Sequence, residues 1–479
     1  MAMNSAKRIL GLILSIAVLG GVMTGCKDLL DVNTDPTRVS DPPLHTLLPT
    51  VLNGTASAHF STAYYSSQAA HQMDHTGNTY FEEFSMSGAW TTIYLTNLNN
   101  LNVMVDKALF DLDETGRNSE YYAGIAKVLQ AINLGLLTSN WEDAPWTEAL
   151  QGGDNPKPRY DDQQTIYNEI FRLLNEAIEH FNTKAVDNYL LPGSDDISYG
   201  GDIDKWKRLA YSLLARYQLQ VMRKMNIPAS EILANVDSGM TSNDDNFFVT
   251  YTEARPNPWF TNVSQPRVTG NFSISTAAYL VDLMNGDLRG FFDPRLPIIS
   301  PLYVAGATEY RGEISWKDTL GSTCALTNEA WHAMNTSPLL IMTYSELKFI
   351  EAEVAYNVDK ARAYQAYIDG IRANMEMLGV DEADITDYLA STAVAQSEAD
   401  LNLLDHVMVE KYIANFLHPE VWTDMRRHDF KYPYFEKGLY HNRDAQAQRA
   451  LYPNTEKARN EDNVKPHIRD FTEKMWRDL

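Results

Sequence analysis

The chain has 479 residues, with 63 acidic against 40 basic side chains and a formal net charge of −23. A chain this acidic repels phosphate backbones, which argues against nucleic acid as a partner, and it is unsuited to general adsorption on anionic membrane surfaces. The length allows a large core in about one to three domains.

The first predicted segment is a secretory signal. Lys7 and Arg8 precede an apolar run over residues 9–23, which is shorter than the roughly 20 residues that a membrane-spanning helix needs. A basic start, a short apolar core and small residues before a cleavage site are typical of secretory signals. Cleavage before Cys26 therefore predicts a signal peptide over residues 1–25.

The residues at this cleavage site, Met-Thr-Gly-Cys, resemble a bacterial lipobox, with Met23 in place of the usual Leu. In proteins with a lipobox the cysteine is acylated and becomes the first mature residue, so Cys26 is the predicted lipidation site. Several acyl chains give firm anchoring, and residues 26–43 are predicted to form the lipid anchor and tether. Cys324 is then the last unmodified cysteine, which leaves no partner for an intrachain disulfide.

Beyond the tether, apolar residues recur at three- and four-residue spacing, which predicts a helical scaffold over about residues 44–239. Each apolar stripe needs a partner face, and antiparallel helix pairs joined by short turns provide one, as in tetratricopeptide-type solenoids. The predicted helices are Leu44 to about Met73, the stripe Trp90 to Val105, about Ser119 to Trp141, the stripe Ile166 to Phe181 and the stripe Trp206 to Val221.

Residues 240–339 differ, because proline, glycine and aromatic residues are frequent there. This composition predicts a loop-rich insertion with short strands and one helix from Ser275 to Asn285, with Ser275 as its N-cap. A long irregular stretch in a compact domain is usually functional, so the ligand surface is expected here.

Helices resume over about residues 340–418. Tyr344–Tyr356 and Asp359–Leu378 follow each other with almost no linker and are predicted to pack as a hairpin, and Glu398–Phe416 is a further predicted helix. Residues 419–479 are rich in Tyr, Arg, His and Pro, which predicts an irregular tail that is too aromatic to be disordered.

Motifs along nearly the whole chain resemble those of the SusD/RagB-type nutrient-binding outer-membrane lipoproteins, in particular their SusD-like, starch-binding branch. Each motif is a weak signal alone, but together they occur in the family's order. The chain departs from the family at Glu142, where Gly is common. The motifs are Leu29–Pro36, Trp90–Tyr94 with Asn99 and Asn100, Trp141–Trp146, Trp206–Arg216, Asp293–Leu296, Glu420–Arg427, and Leu451–Pro453 with Glu456 and Asn460.

The resemblance implies a mainly α fold, in which a tetratricopeptide-like scaffold of helical pairs carries a loop-rich ligand-binding region within one domain over residues 44–479. Members of the family sit as lids on a SusC-like TonB-dependent outer-membrane barrel, to which they deliver oligosaccharides or, in some branches, peptides. They have no catalytic activity, so neither a catalytic residue nor a cofactor is expected. For this chain the resemblance implies a lipid-anchored outer-membrane protein exposed at the cell surface.

The aromatic residues divide into predicted core residues and candidate ligand contacts. Sugars present apolar C–H faces that stack on flat rings, while neighbouring polar groups bond their hydroxyls. Alternatively, half or more of the candidate aromatics pack the loops. The predicted core tryptophans are Trp90, Trp141, Trp206 and Trp422. The candidate contacts are Trp259, Phe260, Tyr303, Tyr310, Trp316 and Trp331, with Asn257, Asn262, Arg267 and Asp318 as polar neighbours.

A metal site is the sharpest alternative interpretation. His71, Asp74 and His75 resemble an inverted zinc-protease motif, H-x-x-E-H, and on a helix they would place two imidazoles on one face. Asp replaces the Glu of that motif, however, and the sequence offers no helix-spaced third ligand. We therefore expect no metal and interpret these residues as polar groups at a helix end.

The charged residues of the late motif, Asp424, Arg426 and Arg427, are interpreted as an ion-pair cluster that locks the tail to the core. Glu351 and Glu353 lie inside a predicted helix and are expected to face its hairpin partner or solvent.

The sequence contains no serine-hydrolase elbow, phosphate-binding loop or zinc-protease H-E-x-x-H signature, although its many carboxylates leave room for a glycosidase pair. Three functions stay open. The favoured one is a non-catalytic binder of oligosaccharides, the second is a binder of oligopeptides for the same type of transporter, and the third is a lipid-anchored hydrolase.

Overall fold

The computed structural model of the protein describes residues 42–75, 85–110, 116–314, 321–436 and 446–479. The predicted signal peptide, Cys26 and most of the tether lie outside these ranges, as do Trp316 and Asp318. No helix within the ranges has the length and apolar character that crossing a membrane requires.

The first part of the described chain consists of helices that pack on one another in sequence. They are α1 (Leu44–Ala69), α2 (Ser87–Thr91), α3 (Asn99–Phe110), α4 (Glu120–Trp141), α5 (Gln163–Phe181), α6 (Ile203–Met225) and α7 (Ala229–Asp237), with a π-helical segment, Thr92–Leu98, between α2 and α3. α4 packs against α1, α3 and α5, and α6 packs against α5 and α7. The predicted helical scaffold is confirmed, whereas α7 was not predicted.

Local signals set the ends of these helices. The Asp162 carboxylate accepts a hydrogen bond of 2.7 Å from the Thr165 amide at the start of α5, and Asp202 caps α6 in the same way through the Lys205 amide at 3.1 Å. These caps satisfy amides that have no partner inside the helix. α6 ends at Asn226 in the left-handed conformation with φ 54°, which is a common helix terminus.

Two glycines let α4 approach its neighbours closely. A β-carbon on Gly135 would lie 2.3 Å from the hydroxyl oxygen of Tyr217 on α6, and one on Gly124 would lie 2.5 Å from the Phe181 ring on α5. Because neither contact leaves room for a methyl group, the spacing of these helices depends on glycine at both positions.

The helices of the second part are shorter. They are α8 (Gln265–Val268), α9 (Ala278–Met284), α10 (Leu296–Ile299), α11 (Tyr344–Ala355), α12 (Lys360–Leu378), α13 (Glu382–Leu389), α14 (Val409–Ala414), α15 (Glu420–Arg427), α16 (Asn454–Arg459) and α17 (Glu461–Val464). α11 and α12 pack as the predicted hairpin. The helix predicted from Glu398 begins instead with a π-helical segment at Leu403, where Asn402 accepts hydrogen bonds from two amides.

Among the described residues, four short strands form two antiparallel pairs. Strand β1 (Met73–His75) pairs with β3 (Ile274–Thr276), and β2 (Phe247–Val249) pairs with β4 (Leu339–Met342). Ser275 lies opposite Asp74 in the first pair. The prediction that Ser275 caps a helix is therefore wrong, because strand pairing uses its backbone and α9 starts only at Ala278.

The predicted core tryptophans are buried. Trp141 donates its indole N–H to the Leu451 carbonyl at 3.1 Å, and Trp422 donates to the Ala447 carbonyl at the same distance. A buried indole needs such a partner. Trp141 lies on α4 and its acceptor lies in the tail, whereas Trp422 and Ala447 both belong to the tail. The tail is therefore fixed against the core, and it includes the helix α15 as well as irregular backbone.

A buried charge network holds the segment that follows α9. Arg295 pairs with Asp293 at 2.6 Å and with Glu410 at 2.7 Å, and Arg289 pairs with Glu410 at 2.6 Å. Burial alone would raise the pKa of Glu410, but the two guanidinium groups lower it to about 2. Glu410 is therefore ionised at neutral pH and fixes both arginines.

Candidate functional site

Two open clefts of similar size occur in the part of the chain that the structure describes. One has a volume of about 600 Å³ and aromatic walls, and the other has a volume of about 630 Å³ and polar walls. Because the two clefts do not differ in size, the residues that line them must decide which is the candidate ligand site. The aromatic cleft is lined by His71, Ala278, Tyr279, Asp282, Leu288, Ile314, Tyr434, Phe435 and Glu436.

Tyr279 and Phe435 form a rigid aromatic corner in this cleft. Their ring centroids lie 5.1 Å apart in an edge-to-face arrangement, and Phe435 also lies 4.6 Å from the His71 ring. The Tyr279 hydroxyl donates to the Pro433 carbonyl at 3.0 Å. Burial raises the pKa of Tyr279 well above its ordinary value, so the hydroxyl stays protonated and can keep this hydrogen bond at neutral pH.

Tyr434 presents the most accessible aromatic ring of the cleft, with 60% of the residue exposed. It has a left-handed backbone with φ 61°, as do Asp429 at 59° and Phe430 at 54°. This conformation costs residues other than glycine about 1–3 kcal/mol, and such strain is concentrated at functional sites. Of these three residues, Tyr434 lines the cleft, next to Phe435 and Glu436.

Asp282 supplies a carboxylate to the same cleft. It follows Tyr279 by three residues on α9, so both side chains lie on one helical face. Burial and the neighbouring charge of Asp287 raise the pKa of Asp282, although Asn285 donates to it at 3.4 Å. The cleft thus combines apolar rings with an acceptor that is only weakly hydrogen-bonded.

The polar cleft is occupied by contacts within the protein. Glu142 pairs with Arg449 at 2.6 Å and accepts from the Trp476 amide at 2.5 Å, and Arg449 also donates to the carbonyls of Glu473 and Lys474. The side chains of Glu142 and Arg449 are therefore already hydrogen-bonded within the protein, and we interpret this cleft as the junction between the tail and α4. The aromatic cleft is therefore the candidate ligand site.

The backbone conformation at Glu142 shows why glycine is common at this position of the motif, and the side-chain contacts show how glutamate is accommodated there. Its backbone has φ 74°, a conformation that glycine adopts without steric cost. The Glu142 side chain fixes the tail through Arg449 and Trp476, and these contacts offset the strain.

Trp259, a predicted ligand contact, is 3% exposed. Its ring lies 4.9 Å from Phe60 and 6.4 Å from Tyr64. Both partners belong to α1, so Trp259 packs the insertion against the scaffold and leaves no free ring face for a sugar. The structure does not support Trp259 as a ligand contact.

The other predicted contacts lie outside the aromatic cleft or outside the described residues. Tyr303 is 39% exposed, but the Arg267 guanidinium covers its ring at 4.8 Å. Tyr310 packs on Phe292 at 5.6 Å. Phe260 and Trp331 are half-buried, and neither lines the aromatic cleft.

Trp316 falls outside the described residues, two positions beyond the cleft-lining Ile314, and stays a prediction. The predicted polar neighbours serve the fold instead. Asn257 donates to the Ser337 carbonyl at 2.8 Å, Arg267 to the Ile274 carbonyl at 2.9 Å and Asn262 to the Pro258 carbonyl at 2.8 Å. Asp318 also lies outside the described residues.

Residues 71–75, which resemble the inverted zinc-protease motif, do not lie on a helix. α1 ends at Ala69, His71 has φ 54°, and His75 belongs to β1. Burial lowers the pKa of His71 to about 4, so its imidazole is neutral at pH 7. Within the described ranges, no group of three or more His, Cys, Asp or Glu side chains is arranged to hold a metal ion.

The predicted ion-pair cluster exists, with a partner that was not predicted. Arg427 pairs with Asp424 at 2.6 Å and with Glu353 at 2.8 Å, and Lys411 pairs with both carboxylates. Glu353 is therefore buried in this cluster, so the prediction that it faces the hairpin or solvent is wrong. Glu351 does face the hairpin partner, through Arg362 of α12 at 2.6 Å.

Arg426 locks the tail in a different way. It donates at 2.7 Å to the carbonyls of Gln448 and Ser139 and lies 3.9 Å from the centre of the Trp422 ring. Its role in joining the tail to the core was predicted, but its partners are carbonyl groups and not the carboxylate of Asp424.

Sequence reasoning missed the residues that line the aromatic cleft. The run Tyr432-Pro-Tyr-Phe-Glu436 in the tail and the pair Tyr279 and Asp282, spaced for one helical face, were the available signals. They were overlooked because the ligand surface was expected in the insertion alone, whereas the tail supplies one of the two walls.

Comparison with known proteins gives one family match. The SusD-like family model, described as "Starch-binding associating with outer membrane", matches residues 36–453. No curated protein matches the chain.

Solved structures share the fold at low identity. A SusD/RagB family protein from Bacteroides thetaiotaomicron aligns with a TM-score of 0.74 and 20% identity over 91% of this chain and 99% of that chain. A chitin-binding SusD homologue from Flavobacterium johnsoniae aligns with 0.73 and 19% over 91% and 98%. A further protein described as chitin-binding aligns with 0.73 and 22% over 91% and 100%.

Proposed function

Because the chain belongs to the SusD-like family of starch-binding proteins associated with the outer membrane, we propose that it is a non-catalytic surface lipoprotein that captures oligosaccharides. The captured glycan would pass to a SusC-like TonB-dependent outer-membrane barrel. The observation that supports this proposal is the aromatic cleft, which is lined by Tyr279, Tyr434 and Phe435 together with Asp282.

The cleft has the chemistry that sugars require. Flat rings stack on the apolar faces of pyranoses, and a carboxylate accepts hydrogen bonds from their hydroxyls. A volume of about 600 Å³ lies within the usual range of small-molecule sites, roughly 300–1,000 Å³, which suits a short segment of a glycan chain. Two structures with the same fold are described as chitin-binding, so chitin oligosaccharides are the first probe to use.

Tyr434→Ala tests the site. Removing an exposed aromatic contact should weaken glycan binding about tenfold, or about 1.4 kcal/mol. Affinity electrophoresis and calorimetry with starch, chitin oligosaccharides and a peptide library would measure it. Tyr189→Ala is the matched control, because Tyr189 is also an exposed tyrosine, at 44%, and lines neither cleft.

Two results would contradict the proposal. Tight binding of peptides without retention of any glycan would favour the oligopeptide alternative. Turnover of a chromogenic glycoside or peptide by the purified protein would favour the hydrolase alternative. Equal losses in Tyr434→Ala and Tyr189→Ala would move the site away from the aromatic cleft.

The anchor and the transporter partner form the second part of the proposal. Cys26 would carry the acyl chains, so Cys26→Ser should release the protein from membranes, as fractionation would show. A TonB-dependent barrel should co-purify with the wild-type protein in mild detergent. Protection of the protein from protease on intact cells would contradict its placement at the cell surface.

A further inference from the structure

We infer that Asp282 gives the aromatic cleft a charge preference, so that it admits neutral and amino-bearing oligosaccharides and rejects acidic ones. This inference rests on the proposed function, because it concerns the same cleft. It names the class of glycan by its charge, which neither the fold nor the aromatic walls determine.

Asp282 is a half-buried carboxylate without a cationic partner. Among the residues that the structure describes, none forms an ion pair with it, and its hydrogen bond is the one from Asn285 at 3.4 Å. The Asn285 amide is shared, since it also donates to Asp287 at 3.0 Å and to the Tyr310 carbonyl at 3.3 Å. A partly desolvated carboxylate with so little compensation favours any ligand that brings donors or positive charge.

The described lining of the cleft contains no side chain that is cationic at neutral pH. It includes the carboxylates of Asp282 and Glu436 but no lysine or arginine. The nearby guanidinium of Arg289 is engaged by Glu410 at 2.6 Å. The lining histidine, His71, is buried against Phe435.

This arrangement distinguishes three classes of sugar. A neutral sugar can donate two neighbouring hydroxyls to Asp282 while its apolar face contacts Tyr279 or Tyr434. An amino sugar adds an ammonium group, which forms a charge-assisted hydrogen bond with the carboxylate. A uronic or sulfated sugar brings a like charge into a partly desolvated site, which disfavours binding.

The experiment compares glycans of three charge classes on the full-length mature protein. Affinity electrophoresis would use starch and glycol chitin as neutral polymers, glycol chitosan as the cationic polymer and polygalacturonate as the anionic polymer. The wild type should be retained by at least one neutral or cationic polymer and pass freely through polygalacturonate.

Aspartate variants separate the local effect of the Asp282 charge on binding from the effect of the protein's net charge. Asp282→Asn should weaken binding of the preferred polymer about tenfold, since a hydrogen bond to a charged group is lost, and should reduce discrimination against polygalacturonate. Asp387→Asn changes the net charge equally, but Asp387 is exposed on α13 and does not line the cleft, so binding should change less than about twofold. Asp282→Glu keeps the charge and should retain the preference.

Three outcomes decide the inference. Retention by polygalacturonate equal to that by the neutral polymers overturns it while leaving glycan capture intact. Identical behaviour of Asp282→Asn and Asp387→Asn, with unchanged thermal unfolding, overturns it as well. Absence of retention by every polymer overturns the proposed function, and this inference with it.

Discussion

The helical scaffold and the loop-rich insertion are stabilised in different ways. In the scaffold, α4, α5 and α6 bury apolar stripes against one another, with glycine at the closest contacts. In the insertion, the segment after α9 depends on Arg295 and on carboxylates that the surrounding chain supplies, including Glu410, 115 residues away. Close packing of this kind leaves no room for added atoms, whereas a buried charge network is costly when one partner is missing.

A second arginine joins the scaffold to the chain just beyond the insertion. Arg216 on α6 donates to both carboxylate oxygens of Glu346 on α11, at 2.7 and 2.6 Å, and to the Ile341 carbonyl of β4 at 2.8 Å. The scaffold thus supplies the cation, and the chain beyond the insertion supplies the acceptors. Buried ion pairs therefore supplement apolar packing between helices as well as stabilising the irregular segment.

Arg295→Met should have the largest effect on stability. Removing the guanidinium leaves Asp293 and Glu410 buried with less compensation, which should lower the free energy of unfolding by about 3–5 kcal/mol. Arg372→Met is the control, because the Arg372 pair with Glu382 is exposed and should contribute at most about 1 kcal/mol. Denaturant unfolding measures both, and similar losses would contradict the importance of the buried network.

Gly135→Ala tests the scaffold in the same way. The added methyl group would overlap Tyr217 and should cost about 1–3 kcal/mol. At Gly88 in α2 no atom lies within 4 Å of the new β-carbon, so Gly88→Ala should be neutral or stabilise the protein by up to about 1 kcal/mol. A Gly135→Ala protein as stable as the wild type would show that the helices can separate without loss.

The pH dependence of stability provides a test with a smaller expected effect, which concerns a single buried histidine. Burial lowers the pKa of His332 from 6.5 to about 3, so between these pH values the unfolded chain binds a proton that the folded chain does not. Stability should therefore fall as the pH drops below about 6.5, by up to about 1.4 kcal/mol per pH unit for this group. His332→Gln should make the slope shallower.

The control for this experiment is His45→Gln, because His45 on α1 is exposed in the folded protein and its change should leave the slope unaltered. Unfolding by denaturant at several pH values between 7 and 4.5 measures the slopes. Equal slopes for the wild type and His332→Gln would contradict the assignment of acid sensitivity to this buried imidazole.

The sequence predicted what local periodicity can show. The stripes of α4, α5 and α6 and the hairpin of α11 and α12 were predicted because their apolar residues repeat along a single helix. Ser275 was assigned to a helix because its strand partner, Asp74, is about 200 residues away. Short strands of this kind leave little periodic signal of their own.

The candidate site was less predictable for a related reason. Tyr279 and Phe435 come from distant segments, and their proximity exists only in the folded chain. Trp259 looked like a ligand contact because tryptophan in a loop is often exposed, but α1 supplies Phe60 and Tyr64 to cover it. Composition identifies the kind of residue that binds sugars, whereas tertiary packing decides which ones remain accessible.

The attachment of the tail to α4 has a consequence for biogenesis. The Trp141 indole donates to the carbonyl of Leu451, 310 residues away, and the Tyr452 hydroxyl donates back to the Trp141 carbonyl. Arg477 donates to the Ser139 hydroxyl at 3.0 Å. The contacts around the C-terminal end of α4 can therefore be completed only after residues 446–479 have been synthesised. Such distant contacts form late in folding, so a truncated product would expose an unfinished core to proteases.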